Sequence, residues 1–243
     1  MLILKLNVMT YNIHHGVGTD KRLDLSRISE VIRKSDADII ALNEVDKDFS
    51  RRSGYEDQIT LLADELNMNK AFAPSVSIKT NGSSVKQYGN ALLSRYPIIR
   101  QEVFHFNFVA GLVEGRSLLH ATVEVNNKPI KIYVTHLSIN PYLHNLQTNY
   151  IKQAIHNQSD PFILMGDWNM RPGSRSWKKM HHTYKDVWYQ VHHKGGYTYP
   201  SHRPRIRLDY IFVNRRMEVV DAEVMNDIPQ ASDHLPLRAQ LRI

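Results

Sequence analysis

The stretch Phe162–Asn169, FILMGDWN, constrains the fold more than any other segment of the chain. Phe162, Ile163, Leu164 and Met165 form an apolar run short enough to be a strand buried on both faces. The run stops at Gly166, and Asp167, Trp168 and Asn169 follow at once. Residues i and i+2 of a strand point to the same side, so Asp167 and Asn169 can present a carboxylate and an amide together at the strand's end. In α/β proteins that end commonly carries the chemistry. Asp and Asn after a strand are equally ordinary turn and cap residues, so the rest of the chain must decide.

Repetition is what decides. Leu2–Tyr11 is β-rich and runs into Asn12. Asp38–Leu42 (DIIAL) ends at Asn43-Glu44, and Ile130–Thr135 ends at His136. Asp209 lies just inside Leu208–Val213, and Asp233-His234 precede the last strand, Leu235–Ile243. Any one of these is more often structural; six such places, counting Asp167 with Asn169, point to a shared site.

Between the strands, Leu23–Lys34 places Leu25, Ile28, Val31 and Ile32 at helical spacing, with Asp24 or Ser26 as the cap. Gln58–Leu66, Tyr142–Asn157 and Ser174–His182 also read as helices. Lys70–Ile78, Tyr88–Ser94, Ile98–Phe108 and Met217–Met225 read as strands. Ser117–Val125 and Ile130–Thr135 flank a hairpin turn at Asn126-Asn127, and Asn81-Gly82 marks a polar loop. Strands outnumber helices, helices recur between them, and apolar runs continue from end to end without repeat or linker. The expectation is an α/β sandwich in one domain, residues 1–243.

The oxygen donors Glu44, Asp167, Asp233 and Asn12 suit Mg²⁺ or Mn²⁺. There is no HExxH and no His/Cys cluster of zinc spacing, which disfavours zinc, and without Cys no disulfide can form. Absence of GxxxxGK[ST], GxGxxG and GxSxG removes support for nucleotide-triphosphate motors, dinucleotide oxidoreductases and serine hydrolases. With 31 Lys and Arg against 24 Asp and Glu, the net charge of +7 suits a polyanionic partner. No apolar stretch has the length of a signal peptide or a membrane span, so a soluble, cytoplasmic protein is expected.

In this order, TYNIHHG (Thr10–Gly16), LNEVD (Leu42–Asp46), GNALLSR (Gly89–Arg95), THL (Thr135–Leu137), GDWN (Gly166–Asn169), RLDYIFV (Arg207–Val213) and SDHLPL (Ser232–Leu237) cover nearly the whole chain. The set resembles the endonuclease/exonuclease/phosphatase superfamily of DNase-I-like metal-dependent phosphohydrolases, and its small bacterial members in particular. The resemblance implies a four-layered α/β sandwich, two mixed sheets face to face with helices outside, and hydrolysis of a phosphate ester with a divalent cation, Mg²⁺ or Mn²⁺. Carried over residue by residue, it makes Glu44 the principal metal ligand, Asn12 the amide beside it and Asp233 a ligand or organiser of the metal. Asp167 and Asn169 orient water and contact phosphate; His234 adjoins the scissile phosphate, held by Asp209, and His136 is the second active-site histidine. The resemblance also implies Arg116 as a phosphate contact, and His14 is expected to be another. The chain departs from the abasic-site endonucleases, which have an acidic residue where His14 stands and Gly-Trp-Arg where Arg205-Ile206-Arg207 stands.

The basic stretch His202–Arg207 (HRPRIR) precedes the Asp209 strand and is expected to hang over the site, with Arg205 and Arg207 touching phosphate. Trp188, Tyr197 and Tyr199 either line the cleft or anchor that loop. Trp168 is read as packing, His15 as adjoining the site, and the pairs His181-His182 and His192-His193 as exposed. The substrate is expected to be an anionic phosphodiester, either nucleic acid or a phospholipid or glycolipid headgroup. A phosphomonoesterase acting on an inositide or metabolite, and a catalytically silent module binding nucleic acid or membrane, are the alternatives. No obligate protein partner is indicated, and a monomer is expected.

Overall fold

The computed structural model describes residues 4–80, 85–106, 115–156, 158 and 160–243. The Asn81-Gly82 turn lies outside these, as do the outermost residues of three predicted elements: Leu2 and Ile3, Asn107 and Phe108, and Asn157. The first of two six-stranded sheets contains β1 (Lys5–Asn12), β2 (Ile39–Lys47), β3 (Asn69–Lys79), β4 (Val85–Ser94), β11 (Glu218–Val224) and β12 (Leu237–Arg242). Their order is β11-β12-β1-β2-β4-β3. The second contains β5 (Ile98–His105), β6 (Ser117–Val125), β7 (Lys128–His136), β8 (Phe162–Asp167), β9 (Lys185–Asp186) and β10 (Asp209–Val213). Its order is β5-β6-β7-β8-β10-β9.

Each sheet has one parallel pair, β1 with β2 and β7 with β8. Parallel neighbours need a long crossover. Helix α1 (Leu25–Ser35) supplies the first and α3 (Pro141–Ile155) the second. Both crossovers bring two C-terminal strand ends to one edge. The antiparallel neighbours complete that edge. Asp209, first residue of β10, pairs with Asp167, last of β8. The segment leading into β12 meets the end of β1, where Thr10 pairs with Leu237.

The central strands β1, β2, β8 and β10 are buried on both faces, as their apolar runs require, while β3, β5 and β11 are more exposed. Leu6, Val8, Ile39 and Ala41 of the first sheet pack against Leu119, Val134, Ile163 and Met165 of the second. On the outer face of the first sheet, Met9, Tyr11, Ile40 and Leu42 meet Ile28, Val31 and Ile32 of α1 and Leu62 of α2 (Gln58–Leu66). Outside the second, Leu118, Leu164, Tyr210 and Phe212 meet Ile151 and Ile155 of α3 and Trp177 and Met180 of α4 (Arg175–Thr183). Each buried Leu, Ile or Val contributes roughly 1.5–3 kcal/mol relative to exposure, so three such layers dominate the folding energy. Trp168 is fully buried against Phe212, as the packing reading had it.

The α1 cap is Asp24, whose side chain accepts from the backbone N–H of Ser26 and Arg27. Asn126 and Asn127 both have positive φ and close a two-residue turn between paired Val125 and Lys128, as a hairpin requires. The short strand β9 and the helix α5 (Val187–Val191) behind it were not legible, because two residues and one turn carry no period.

Candidate active site

Glu44, His136, Asp167, Asn169, Asp233 and His234 line one cleft of about 680 Å³ at the shared edge of the two sheets, with Asn12 and Asp209 bonded to them from behind. The backbone is shaped to deliver them. At Gly166 (φ 143°) a Cβ would lie 1.8 Å from the Thr135 carbonyl oxygen, so only glycine lets β8 run beside β7 just before Asp167. Glu44 sits where the β2–β4 register shifts, at φ 59°. His14 (φ 45°), His15 (φ 54°) and Asn169 (φ 46°) also occupy the left-handed region. Such residues cost about 1–3 kcal/mol each and persist where surrounding structure holds them, typically at functional sites.

The holding contacts are specific. Asn43 on β2 accepts the Asp167 N–H (2.8 Å) and donates to the Thr135 carbonyl (3.0 Å) and to Asn90 Oδ1 (2.7 Å), tying the sheets together beneath the cleft. Gln58 accepts the Asp46 N–H (3.0 Å) and donates to the His15 carbonyl (2.6 Å), fixing the loop after β1. Ser232 Oγ donates to the Asn12 carbonyl (2.7 Å), fixing the loop that carries His234.

Within the cleft, His234 Nδ1 lies 2.8 Å from Asp209 Oδ2, leaving Nε2 directed at Asp167 Oδ2 (3.8 Å). Asp167 accepts the Asn169 N–H (2.9 Å) and an Asn12 amide N–H (3.2 Å). The other Asn12 contact is to Glu44 Oε1 (3.1 Å), so one amide bridges the two carboxylates. Asn169 Nδ2 lies 3.1 Å from His136 Nε2, and His136 Nδ1 lies 3.5 Å from Arg116. Asp233 is half-buried at the cleft wall.

These positions set the charges. Burial pushes the Asp167 carboxyl up to about 7 against the pull of His234. Burial opposes the His234 cation, yet Asp209 and Asp167 outweigh it and raise the imidazole to about 10. Burial and the Arg116 cation push His136 well below the usual histidine range. Glu44 is raised by burial and by Asp233. Four carboxylates thus face one small volume, and Asp209 Oδ1 is buried with no hydrogen-bond partner. An oxygen-rich set short of positive charge fits a divalent cation, with Glu44 and Asp233 as the residues to hold it and Asn12 beside them.

Asn12, Glu44, His136, Asp167, Asn169, Asp209, Asp233, His234 and Arg116 are therefore brought together. Half-buried His14 joins them beside Glu44. Three expectations need correction. Arg207 is 1% exposed and gives both guanidinium arms to Asp186 (3.1 and 2.6 Å), so it cannot reach a phosphate. Arg205 lines a separate depression of about 410 Å³ with Trp188 and Tyr197, while of the loop aromatics only Tyr199 reaches the cleft, its ring 4.9 Å from His234. His181 is half-buried and stacked on Trp177, departing from the exposed reading that holds for His182, His192 and His193. Asn43, Asn90 and Gln58 were given no role from sequence, since a lone amide in an apolar run does not announce a partner in the other sheet.

A two-sheet sandwich with carboxylates and a carboxylate-held histidine at its shared edge defines the DNase-I-like class of metal-dependent phosphoesterases. The chain belongs to the Endonuclease/Exonuclease/phosphatase family, whose model matches residues 9–234. It is 26% identical to the uncharacterized protein YbhP of Escherichia coli K12 over 259 aligned positions, covering 97% of this chain and 96% of YbhP. The crystal structure of an endonuclease/exonuclease/phosphatase from Beutenbergia cavernae is similar with a TM-score of 0.81 and 28% identity, covering 98% of this chain and 72% of that one. A mannosyl-6-phosphatase from Bacteroides thetaiotaomicron shares the fold (TM-score 0.74, 17% identity, 97% and 99% covered).

Proposed function

We propose that this chain is a divalent-metal-dependent phosphodiesterase that cleaves an anionic phosphodiester, in nucleic acid or a lipid headgroup, by attack of water. The observation that carries the reading is the Asp209–His234–Asp167 line, ending in an open cleft beside Glu44 and Asp233. Asp209 fixes the His234 proton on Nδ1 and favours the imidazolium, so His234 Nε2 donates to phosphate oxygens as charge develops on them. That protonation leaves Asp167 as the group that takes the proton from water. Asn43, Asn169 and Asn12 hold it in place, and its raised basicity suits the task. Asn169 and Arg116 flank the position of the phosphate. A bound Mg²⁺ or Mn²⁺ would neutralise a non-bridging oxygen and the developing charge.

A diester is favoured over a monoester by what lies beyond the cleft. Past Ile139 and Asn169 it continues into a depression of about 580 Å³. That depression is lined by Tyr142, Asn145, Arg171 and Arg175, with no carboxylate among its lining residues. It offers a place for the group on the far side of the phosphate. The test is hydrolysis of bis(p-nitrophenyl) phosphate with Mg²⁺ or Mn²⁺ beside p-nitrophenyl phosphate. Chelator-sensitive release from the diester, lost in His234→Ala, is expected. Release from the monoester alone would replace this reading with a phosphatase.

A further inference from the structure

The catalytic line uses one face of Glu44. Its other carboxylate oxygen lies against His15, with His14 close by, two histidines that the proposed reaction does not use. Asn12 Nδ2 engages Glu44 Oε1 at 3.1 Å, and this fixes the carboxylate so that Oε2 lies 3.4 Å from His15 Nε2. His14 contributes a third donor: one ligating atom from each of His14, His15 and Glu44 lies within 4.8 Å of the others.

The surroundings orient all three. His14 Nδ1 lies 3.0 Å from the Val17 carbonyl oxygen, an acceptor only, so Nδ1 is the donor there and Nε2 is the nitrogen available to a ligand. A ring nitrogen bonded to a backbone carbonyl is the usual way a protein sets a ligating imidazole. The His14 N–H donates to Asn12 Oδ1 (3.1 Å), so the same asparagine that aims Glu44 also places His14. The His15 carbonyl is held by buried Gln58, and Gly16 (φ +73°) lets Leu25 and Gln58 close against the turn. His15 itself is nine-tenths buried. Two adjacent histidines and Glu44 all sit at positive φ; His15 Nε2 faces Glu44 Oε2, while its Nδ1 lies 3.9 Å from Asp46 and its ring lies 5.7 Å from the ring of Tyr88.

We infer that His14, His15 and Glu44 form a mixed imidazole–carboxylate set that binds Mn²⁺, or another first-row transition dication, in preference to Mg²⁺. Imidazole nitrogen suits transition ions and is a poor exchange for the oxygen ligands and waters that Mg²⁺ demands. The inference deepens the phosphodiesterase reading, since Glu44 is common to both sets, but it concerns which ion is held and by which atoms.

The test is binding, read apart from turnover. Mn²⁺ is titrated into the purified full chain and followed by electron paramagnetic resonance, with Mg²⁺ as competitor. Pulsed measurements on the bound ion then look for coupling to nitrogen. Tighter binding of Mn²⁺ than of Mg²⁺, with imidazole nitrogen coupling, is expected. His14→Gln and His15→Gln should each lose at least about tenfold in Mn²⁺ affinity while changing Mg²⁺ affinity much less. Circular dichroism and thermal melting establish that each variant is folded. Oxygen-only ligation in the wild type would overturn the inference, and that spectrum needs no variant. Variants that fold and keep the wild-type Mn²⁺-to-Mg²⁺ ratio would overturn it equally. Diester hydrolysis supported by Mg²⁺ with no nitrogen ligation would sink this set and leave the phosphodiesterase reading standing. Nitrogen-ligated Mn²⁺ without diester hydrolysis would do the reverse.

Discussion

Two groups of buried charges lie a few residues apart in this chain and behave in opposite ways. Arg207 and Asp186 are 1% and 0% exposed and balance one charge against one, although Arg207 Nε itself has no hydrogen-bond partner. The guanidinium grips the carboxylate with two bonds, Trp177 Nε1 donates a third to it (2.7 Å), and the cation lies 4.5 Å from the centre of the Tyr210 ring. Two residues on, Asp209 is equally buried but belongs to a group with too little positive charge. Asp167, Glu44 and Asp233 share its neighbourhood, and His234 is the cation placed among them. The first pair is closed to solvent and its two charges cancel, which is what a structural ion pair looks like. The second opens to a cleft and gathers more carboxylate than cation, a donor set whose chemistry fits a divalent cation and a phosphate. Burial of charge alone does not separate structure from function; the completeness of its compensation does.

The sharpest way to break this contrast is to remove charge from each group. Glu44→Ala and His234→Ala should each cut diester hydrolysis by about 10²–10⁴-fold. The melting temperature of Glu44→Ala should stay level or rise, because a raised carboxyl is one whose ionised form the fold disfavours. His234→Ala should instead melt lower at pH 7, since it leaves Asp209 and Asp167 without their cation. A folded variant with wild-type turnover would remove that residue from the site. Asp186→Ala should do the opposite. It leaves Arg207 charged and unpaired in the interior, at a cost of about 3–5 kcal/mol read from urea denaturation, while the molecules that remain folded keep their kcat. Adding Arg207→Met should return most of the lost stability. If Asp186→Ala instead abolished turnover without unfolding, the division between the two groups would be wrong.

That division also explains what was legible in the sequence. Strand ends were legible because a buried strand must be a continuous apolar run, so the polar residue that ends it stands out. This gave Asn12, Glu44, His136, Asp167, Asp209 and His234, and the sandwich around them. Compensation was not legible, because it is carried by partners distant in the chain. Arg207 looks like a phosphate contact until Asp186, 21 residues earlier, is seen beneath it. Asn43 looks idle until Asp167, 124 residues later, is seen donating to it. His15 could be placed near the site by position, but its approach to Glu44 depends on a bulge in β2 that no spacing reveals.

A subtler test acts on the cation of the second group. Asp209 holds His234 protonated, so Asp209→Asn should lower the His234 pKa from about 10 by more than a unit, read by NMR titration of the metal-free protein. The sign for folding follows from the same shift. His234 is raised above its unfolded value near 6.5, so its contribution to stability is complete below that pH and disappears as pH rises through about 10. Wild-type protein should therefore lose stability between pH 7 and pH 10, and Asp209→Asn should lose less over the same interval. An unchanged His234 titration in the variant would mean that Asp209 does not hold the proton.

The smallest expected effect is at Arg205, and it marks where the cleft ends. Arg205 is exposed and shares its depression with Arg171, Lys194, Trp188 and Tyr197, apart from Asp167 and His234. A compact diester cannot occupy both places, so Arg205→Ala should change kcat/KM for bis(p-nitrophenyl) phosphate by no more than about twofold, the range of ordinary surface substitutions. A long polyanion could reach it, because exposed cations attract phosphates in proportion to their number. The same variant should therefore weaken turnover of an extended oligonucleotide, if that is cleaved, and the difference should shrink as salt is added. A tenfold loss on the small diester would bring Arg205 back into the cleft, and with it the sequence expectation that the structure corrects.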